Sequence, residues 1–184
     1  MLKQATAGDL EQVVSFYQEV IEDLNRRVNY PVWRWGLHPN RQMIEQAIEK
    51  GQLVLFDSPS RLNHVRDYKN GFSHMDFPFA GALIVNREEI DCASIPWHTR
   101  TFLYIHLFAI HPALARRHLA DELIEELADA ARALNVDALR LDVVDDNLPA
   151  FSLYMRHGFH QLCQMETPIE NNETLLFDYM ERLL

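Results

Sequence analysis

The stretch TFLYIHLFAI, Thr101–Ile110, limits what this chain can fold into. It is apolar throughout except at Thr101 and His106, and it has no polar face to give to water. A run of this length reads as a strand covered on both faces, so the sheet around it must lie between two layers. His111 and Pro112 follow, and proline cannot continue a sheet ladder. The spacing beyond them predicts the chain's longest helix over Ala113–Leu134. Leu119, Leu123, Leu127 and Leu134 form its apolar stripe, and Asp121, Glu122, Glu125, Glu126 and Asp129 face water. A strand, a corner and a helix put the free N–H groups of a helix N-terminus at the end of a central strand, which suits phosphate. Such turns usually carry glycines, and this one has none.

The rest of the chain alternates in type. LKQAT reads as a first strand. The helix after it has Leu10, Val13, Val14, Tyr17, Ile21 and Leu24 on one face and Asp9 as its N-cap. NYPVWRWGLHPN breaks that helix, RQMIEQAIEK forms a second, and Gly51 stops it. QLVLF and FAGALIVN are strands, separated by a long loop or irregular hairpin over Ser58–Pro78. A second irregular stretch, REEIDCASIPWHTR, precedes the central strand. ALRLDVV is a strand. DDNLPAFSLYMRHGF is a helix capped by Asn147 or Asp146, with Pro149 in its first turn and Gly158 at its end. HQLCQME and TLLFDYMERL close the chain as an antiparallel pair. The order β-α-α-β-β-β-α-β-α-β-β predicts an α/β fold, a mixed, mostly antiparallel sheet with helices on both faces.

Residues 1–184, 48% hydrophobic, suit one domain with a sizeable core. The net charge of −10 argues against nucleic acid and anionic membrane as partners and would tolerate a cationic amine. No signal-peptide run or membrane-length apolar segment is expected, and Cys92 and Cys163 read as reduced thiols, so a cytoplasmic protein is expected. There is no HExxH, no His/carboxylate cluster at ligand spacing, no GxGxxG and no Walker motif. His106 and His111 are expected on opposite faces of their strand. No metal is expected.

Three places resemble the GNAT superfamily of acyl-CoA-dependent N-acyltransferases: KQATAGDLEQVVSFY, IHLFAIHP with its following helix, and NLPAFSLYMRHGF. The last is the most specific, and VWRWGLHP resembles one bacterial-type subgroup. The resemblance spans nearly the whole chain and implies a GNAT-like fold with acetyl-CoA as acyl donor. It implies that the backbone at Phe108, Ala109 and Ile110 pairs with the pantetheine arm, and that Asn147, Ala150 and Tyr154 lie against the cofactor. The family's pyrophosphate turn falls on Ala115, Arg116, Arg117, His118, Leu119 and Ala120. Only Ala120 fits its pattern. Ala115 replaces a basic residue and His118 a glycine, while Arg116 and Arg117 keep positive charge nearby. If His118 is helical it costs little; if φ there is positive, or if the ligand must approach closely, the glycine matters.

Acyl transfer to an amine needs a proton acceptor, donors for an oxyanion and a proton for the departing thiolate. The resemblance makes Tyr154 the general acid; by residue type alone it is a half-buried aromatic. His106 shares a strand face with Tyr104 and is either the base, with an ordinary pKa of about 6.5, or a core histidine bonded to backbone. His111 is structural. Tyr30, Trp33 and Trp35, with Tyr104, are the acceptor-binding set, or the loop aromatics plug the core. The expected activity is acetyl transfer to the primary amine of a small molecule, or a peptide, in a ternary complex. The alternatives are a silent acyl-CoA-binding or regulatory GNAT-fold protein with an eroded turn, and an enzyme using a longer acyl donor. The sheet edge allows a homodimer.

Overall fold

A computed structural model of the chain describes residues 1–57, 78–88, 94–169 and 173–184. The expected loop or hairpin from Ser58 lies outside these residues up to position 77, and so does part of the second irregular stretch, with Cys92. Among these residues, seven strands form one sheet: β1 (Leu2–Gln4), β2 (Leu53–Phe56), β3 (Gly81–Asn86), β4 (Phe102–Ile110), β5 (Ala138–Val144), β6 (His160–Pro168) and β7 (Thr174–Leu183). Their order across the sheet is β1-β2-β3-β4-β5-β7-β6, antiparallel except between β4 and β5. Among the described residues, four helices cover it: α1 (Leu10–Arg26), α2 (Arg41–Glu49), α3 (Leu119–Ala133) and α4 (Leu148–Arg156).

The central strand is covered on both faces, as its composition requires. Leu103 and Ile105 pack with Leu119, Leu123, Ile124 and Leu127 of α3 on one side. Leu107 and Ala109 pack with Val13, Tyr17 and Val20 of α1 and Ile44 of α2 on the other. That alternation breaks once. β3 advances from Ala82 to Ile84 while its partners in β4 run from Ala109 to His106, so β4 holds one extra residue. Leu107 absorbs it with φ of +50°, and the buried hydroxyl of Tyr17 donates to the Leu107 carbonyl at 2.8 Å. A bulge of this kind bends a strand and re-aims its side chains.

The bulge corrects one expectation. It shifts the inward–outward alternation by one, so His106 and His111 come to the same face of the sheet. His111 packs on Phe16 of α1, its Nε2 lies 3.0 Å from Glu19 Oε2, and its Nδ1 accepts from the Ala113 N–H at 3.2 Å. Both ring nitrogens are therefore used in fixing the corner.

Two local readings are also corrected. Asp9 does not cap α1 with its side chain. Its carboxylate turns back to accept from the Thr6 N–H at 2.8 Å and the Thr6 hydroxyl at 2.7 Å, bracing a short 3-10 turn over Ala7–Asp9. The helix expected over Ala113–Leu134 starts only at Leu119, which makes α1 the longest helix among the described residues. Pro112–Leu114 forms a 3-10 turn instead, and Ala115 is extended behind it. Leu134 lies past the helix end and is 62% exposed, so it leaves the apolar stripe. The other caps are as expected. Gly51 and Gly158 take positive φ, and Asn147 Oδ1 accepts from the Ala150 N–H.

A cluster of ions ties α4 to α3. His157, just past α4, has Nε2 2.8 Å from Asp121 and Nδ1 2.6 Å from Glu125, and Arg182 grips Glu125 through two bonds of 3.0 Å. Arg182, with lesser help from His157, holds the Glu125 carboxyl down at about 2 from its ordinary 4.5. A depressed carboxyl stabilises the fold fully above its unfolded value and loses that contribution as pH falls through the folded one. The stability of this protein should therefore drop between about pH 4.5 and pH 2. In Arg182→Ala, Tm at pH 7 should fall by the equivalent of ~1 kcal/mol for a pair whose carboxylate is half-exposed, and the acid-dependent drop should shrink. Melting curves across that pH range check both.

Candidate active site

β4 and β5 pair only at their first three residues, Phe102↔Ala138 to Tyr104↔Arg140. Beyond them the strands separate. β4 stays bonded to β3 through Ile110, and β5 stays bonded to β7 through Val144. Among the described residues, the edge of β4 that faces the gap therefore carries main-chain groups from Ile105 onward with no strand beside them. The gap opens into a cleft of about 760 Å³, walled by β4 from Ile105 to Ile110, by Leu141–Val144 of β5 and by Asn147, Ala150 and Tyr154. The loop between α1 and α2 closes one side, and the ends of β6 and β7 close another.

Tyr154 reaches this cleft from α4. Its ring lies edge-on to Phe108 at 6.1 Å and to Phe159 at 5.4 Å, and the residue is 7% exposed. Its hydroxyl has no hydrogen-bond partner among the described residues. Burial, with the carboxylate of Asp142 nearby, pushes the phenol well above its ordinary value. At neutral pH it holds its proton, as a group that donates one must.

His106 enters from the opposite face of the sheet. Its ring stacks on Tyr104 at 4.8 Å, and its Nε2 lies 3.4 Å from Asn86 Oδ1. Burial, then the charge of His38, lowers it to about 4, with Glu88 opposing. The imidazole is neutral at pH 7. It can accept a proton but holds it weakly, more so than an unperturbed histidine. Asp142 of β5 and His38 of the loop share the cleft wall with it. The sequence reading missed both, although Arg140 and Asp142 put two charged residues on one face of the otherwise apolar ALRLDVV.

The expected acceptor residues separate. Tyr30 and Trp33 line the cleft. Asn29 pins Trp33, accepting from its N–H at 3.0 Å and donating to its carbonyl at 2.7 Å, and the indole lies edge-on to Tyr17. Trp35 packs against the α1–α2 core and does not face the cleft. Tyr104 is buried behind the wall at 1% exposure and donates to Asp142 Oδ1 at 2.8 Å. It supports a lining residue without being one.

The turn Ala115–Ala120 also lies outside the cleft lining. His118 sits at the N-cap of α3 with φ of +59° and ψ of +18°, and Arg116 has φ of +64°. The helical alternative for His118 is thus excluded: the backbone takes the left-handed form a glycine would take, and a histidine adopts it at some cost. Its side chain is 83% exposed, 3.4 Å from Asp121, and turns into solvent. The opening N–H groups of α3 lack intrahelical acceptors by construction. They keep the direction an anion needs at a helix N-terminus.

The open edge of β4, the helix beyond it and the capped α4 coincide with a known pattern. The model of the acetyltransferase (GNAT) family matches residues 79–159. Over these residues the chain is similar to that family. Among solved structures, 304 chains match. A GNAT-family acetyltransferase from Listeria monocytogenes is 18% identical with a TM-score of 0.66, over 100% of this chain and 94% of that one. The ribosomal-protein-S18-alanine N-acetyltransferase from Escherichia coli is 15% identical with a TM-score of 0.65, over 100% and 92%. The yncA protein from Salmonella typhimurium, solved with its cofactor acetyl-CoA, is 15% identical with a TM-score of 0.62, over 100% and 93%. A comparison with curated proteins finds no match. At these identities the likeness establishes the GNAT fold. No helix among the described residues is long and apolar enough to cross a membrane, and no cluster among them could hold a metal ion.

Proposed function

We propose that residues 1–184 form one acetyl-CoA-dependent N-acetyltransferase domain that acylates the primary amine of a small molecule in the cytoplasm. The unpaired edge of β4 carries this reading. It offers the backbone at Phe108, Ala109 and Ile110 to the amides of an extended arm, as a sheet edge takes up an added strand. The N-terminus of α3, with Arg116 and Arg117, suits the pyrophosphate at the end of that arm. Asn147 and Ala150 line the same channel.

The amine attacks the thioester directly, and no residue of the chain becomes acylated. Tyr154 gives its proton to the departing sulfur. His106, on the other face, receives a proton from the nitrogen. The two groups approach the gap from opposite sides, which separates donor from acceptor. Tyr30 and Trp33 wall the acceptor side.

Initial velocities measured against acetyl-CoA at several amine concentrations test this. Intersecting double-reciprocal lines, with no acetylated protein by mass spectrometry, are expected. Parallel lines with an acetyl-enzyme would overturn the direct mechanism.

A further inference from the structure

Among the described residues, the cleft wall holds one fixed cation, Arg34, in the loop between α1 and α2. Its backbone is tied down three times. Its N–H donates to the His38 carbonyl at 2.8 Å, and its carbonyl accepts from the Leu37 and His38 N–H groups, each at 3.0 Å. Trp33 before it is pinned by Asn29. The stem of Arg34 is therefore held, yet its charge is barely used. A guanidinium carries five N–H donors in a planar fork. Arg182 shows the fork satisfied, with two bonds of 3.0 Å to one carboxylate. The fork of Arg34 makes no hydrogen bond among the described residues. Its one ion contact runs from Nη2 to Glu173 Oε2 at 3.5 Å, and the two side chains are 52% and 49% exposed. Glu173 stands on the opposite wall, one residue before β7. The neighbours on both walls are apolar: Val32 and Leu37 in the loop, Ile169 and Leu175 beside Glu173. A charge against such walls acts more strongly than one in open water, and a planar carboxylate is the partner that an arginine fork fits.

We propose that Arg34 binds a carboxylate on the acceptor, which makes the acceptor an amino acid or a longer amino carboxylate with an apolar body. The proposal rests on the N-acetyltransferase reading and names the substrate class of that site. The amine end of such a molecule points to the gap between Tyr154 and His106, and Tyr30 and Trp33 take its apolar body. Its carboxylate takes the fork of Arg34 and displaces Glu173. A single contact at 3.5 Å between half-exposed groups is readily exchanged for a bidentate pair of hydrogen bonds. Glu173 is therefore an internal competitor: it marks where a carboxylate sits and raises the threshold that the acceptor's own must pass.

The test needs no turnover. Phenylalanine and para-aminomethylbenzoate are titrated calorimetrically into the protein with coenzyme A present, beside phenethylamine and benzylamine, which match them without the carboxylate. The wild type should prefer at least one acid over its partner amine by roughly tenfold or more, as a hydrogen-bonded charge pair provides. Arg34→Gln keeps the length of the stem and removes the charge, and should bring that pair within about twofold. Glu173→Gln removes the competitor, so it should tighten binding of the acid and leave the amine unchanged. No acid preference in the wild type, or a preference retained in Arg34→Gln, overturns the proposal. So does a pair of variants that shift acids and amines alike, since Arg34 and Glu173 would then only fasten the two walls together. Both residues are half-exposed, so the variants should fold, and their melting without ligand checks that. The melting rise with acetyl-CoA is read separately on the wild type and Arg34→Gln. Its absence from the wild type counts against the N-acetyltransferase reading, whereas a missing acid preference beside a normal rise counts against Arg34 alone.

Discussion

Tyr154→Phe should lower kcat by roughly 10²–10⁴-fold while leaving acetyl-CoA binding nearly unchanged. The substitution removes one oxygen. The ring remains between Phe108 and Phe159, so the packing of α4 is kept. The lost hydroxyl has no hydrogen-bond partner among the described residues, so its removal leaves no buried group unpaired there. What is lost is the proton that a departing thiolate takes. An alkyl thiolate is a tolerable leaving group, so the reaction slows without stopping. Steady-state rates and the acetyl-CoA melting shift, measured on the same preparation, separate the two effects. A variant with normal kcat would remove the phenol from the chemistry.

Glu181→Ala should destabilise the protein by ~3–5 kcal/mol. Glu181 and Arg140 are both almost fully buried, with side chains 1% and 4% exposed. Arg140 Nε donates to Glu181 Oε1 at 3.0 Å, and a second nitrogen donates to the Thr99 carbonyl at 2.6 Å. Its guanidinium lies 4.0 Å from the ring centre of Phe102 and 4.3 Å from that of Trp97. The other oxygen of Glu181 accepts from the His98 N–H at 3.0 Å. This pair fastens the segment before β4 onto β5 and β7 at the end of the sheet where β4 and β5 still touch. Removing the carboxylate leaves a buried cation with aromatic faces and one carbonyl. For a chain of this size the loss corresponds to a fall in Tm of roughly 6–20 °C. The double variant Arg140→Met with Glu181→Leu should lose less than Glu181→Ala alone, because neither charge is then stranded. Melting of the two proteins side by side decides it.

Local signals made most of the fold legible. α2, α4, β5 and the final hairpin follow from helical spacing, from Asn147 as a cap, from Gly51 and Gly158 as stops, and from strand alternation, all of which act within a few residues. The bulge at Leu107 was not legible, because it is held by Tyr17, 90 residues earlier in the chain. Its consequence, the shared face of His106 and His111, was missed with it. The late start of α3 was hidden for a related reason: residues 113–118 have ordinary helix formers, and the left-handed backbone at Arg116 and His118 is imposed by the corner rather than signalled by glycine.

The candidate site divided along the same line. The resemblance grouped Tyr154, Asn147 and Ala150, and the capped helix α4 sets all three on the cleft wall. Tyr104 and His106 were placed on one face correctly by strand alternation, yet Tyr104 turned out to stand behind the wall. Asp142 and Arg140 lie two apart in an apolar strand, where charged residues need partners, and their partners come from β4 and β7. Sequence spacing can flag such residues, but only the strand order shows what they meet.

The central claim is that the separated edge of β4 and the glycine-free turn beyond it receive acetyl-CoA. Thermal melting with acetyl-CoA at about a hundredfold above its Kd, with adenosine diphosphate as control, tests it most directly. Binding at that excess stabilises by roughly 2.7 kcal/mol, a rise in Tm of about 5–11 °C for a domain of this size. A rise of that order with acetyl-CoA, well above any with adenosine diphosphate, is the predicted result. An unchanged Tm with acetyl-CoA would contradict the account, since it would mean that the turn around His118 does not admit the cofactor.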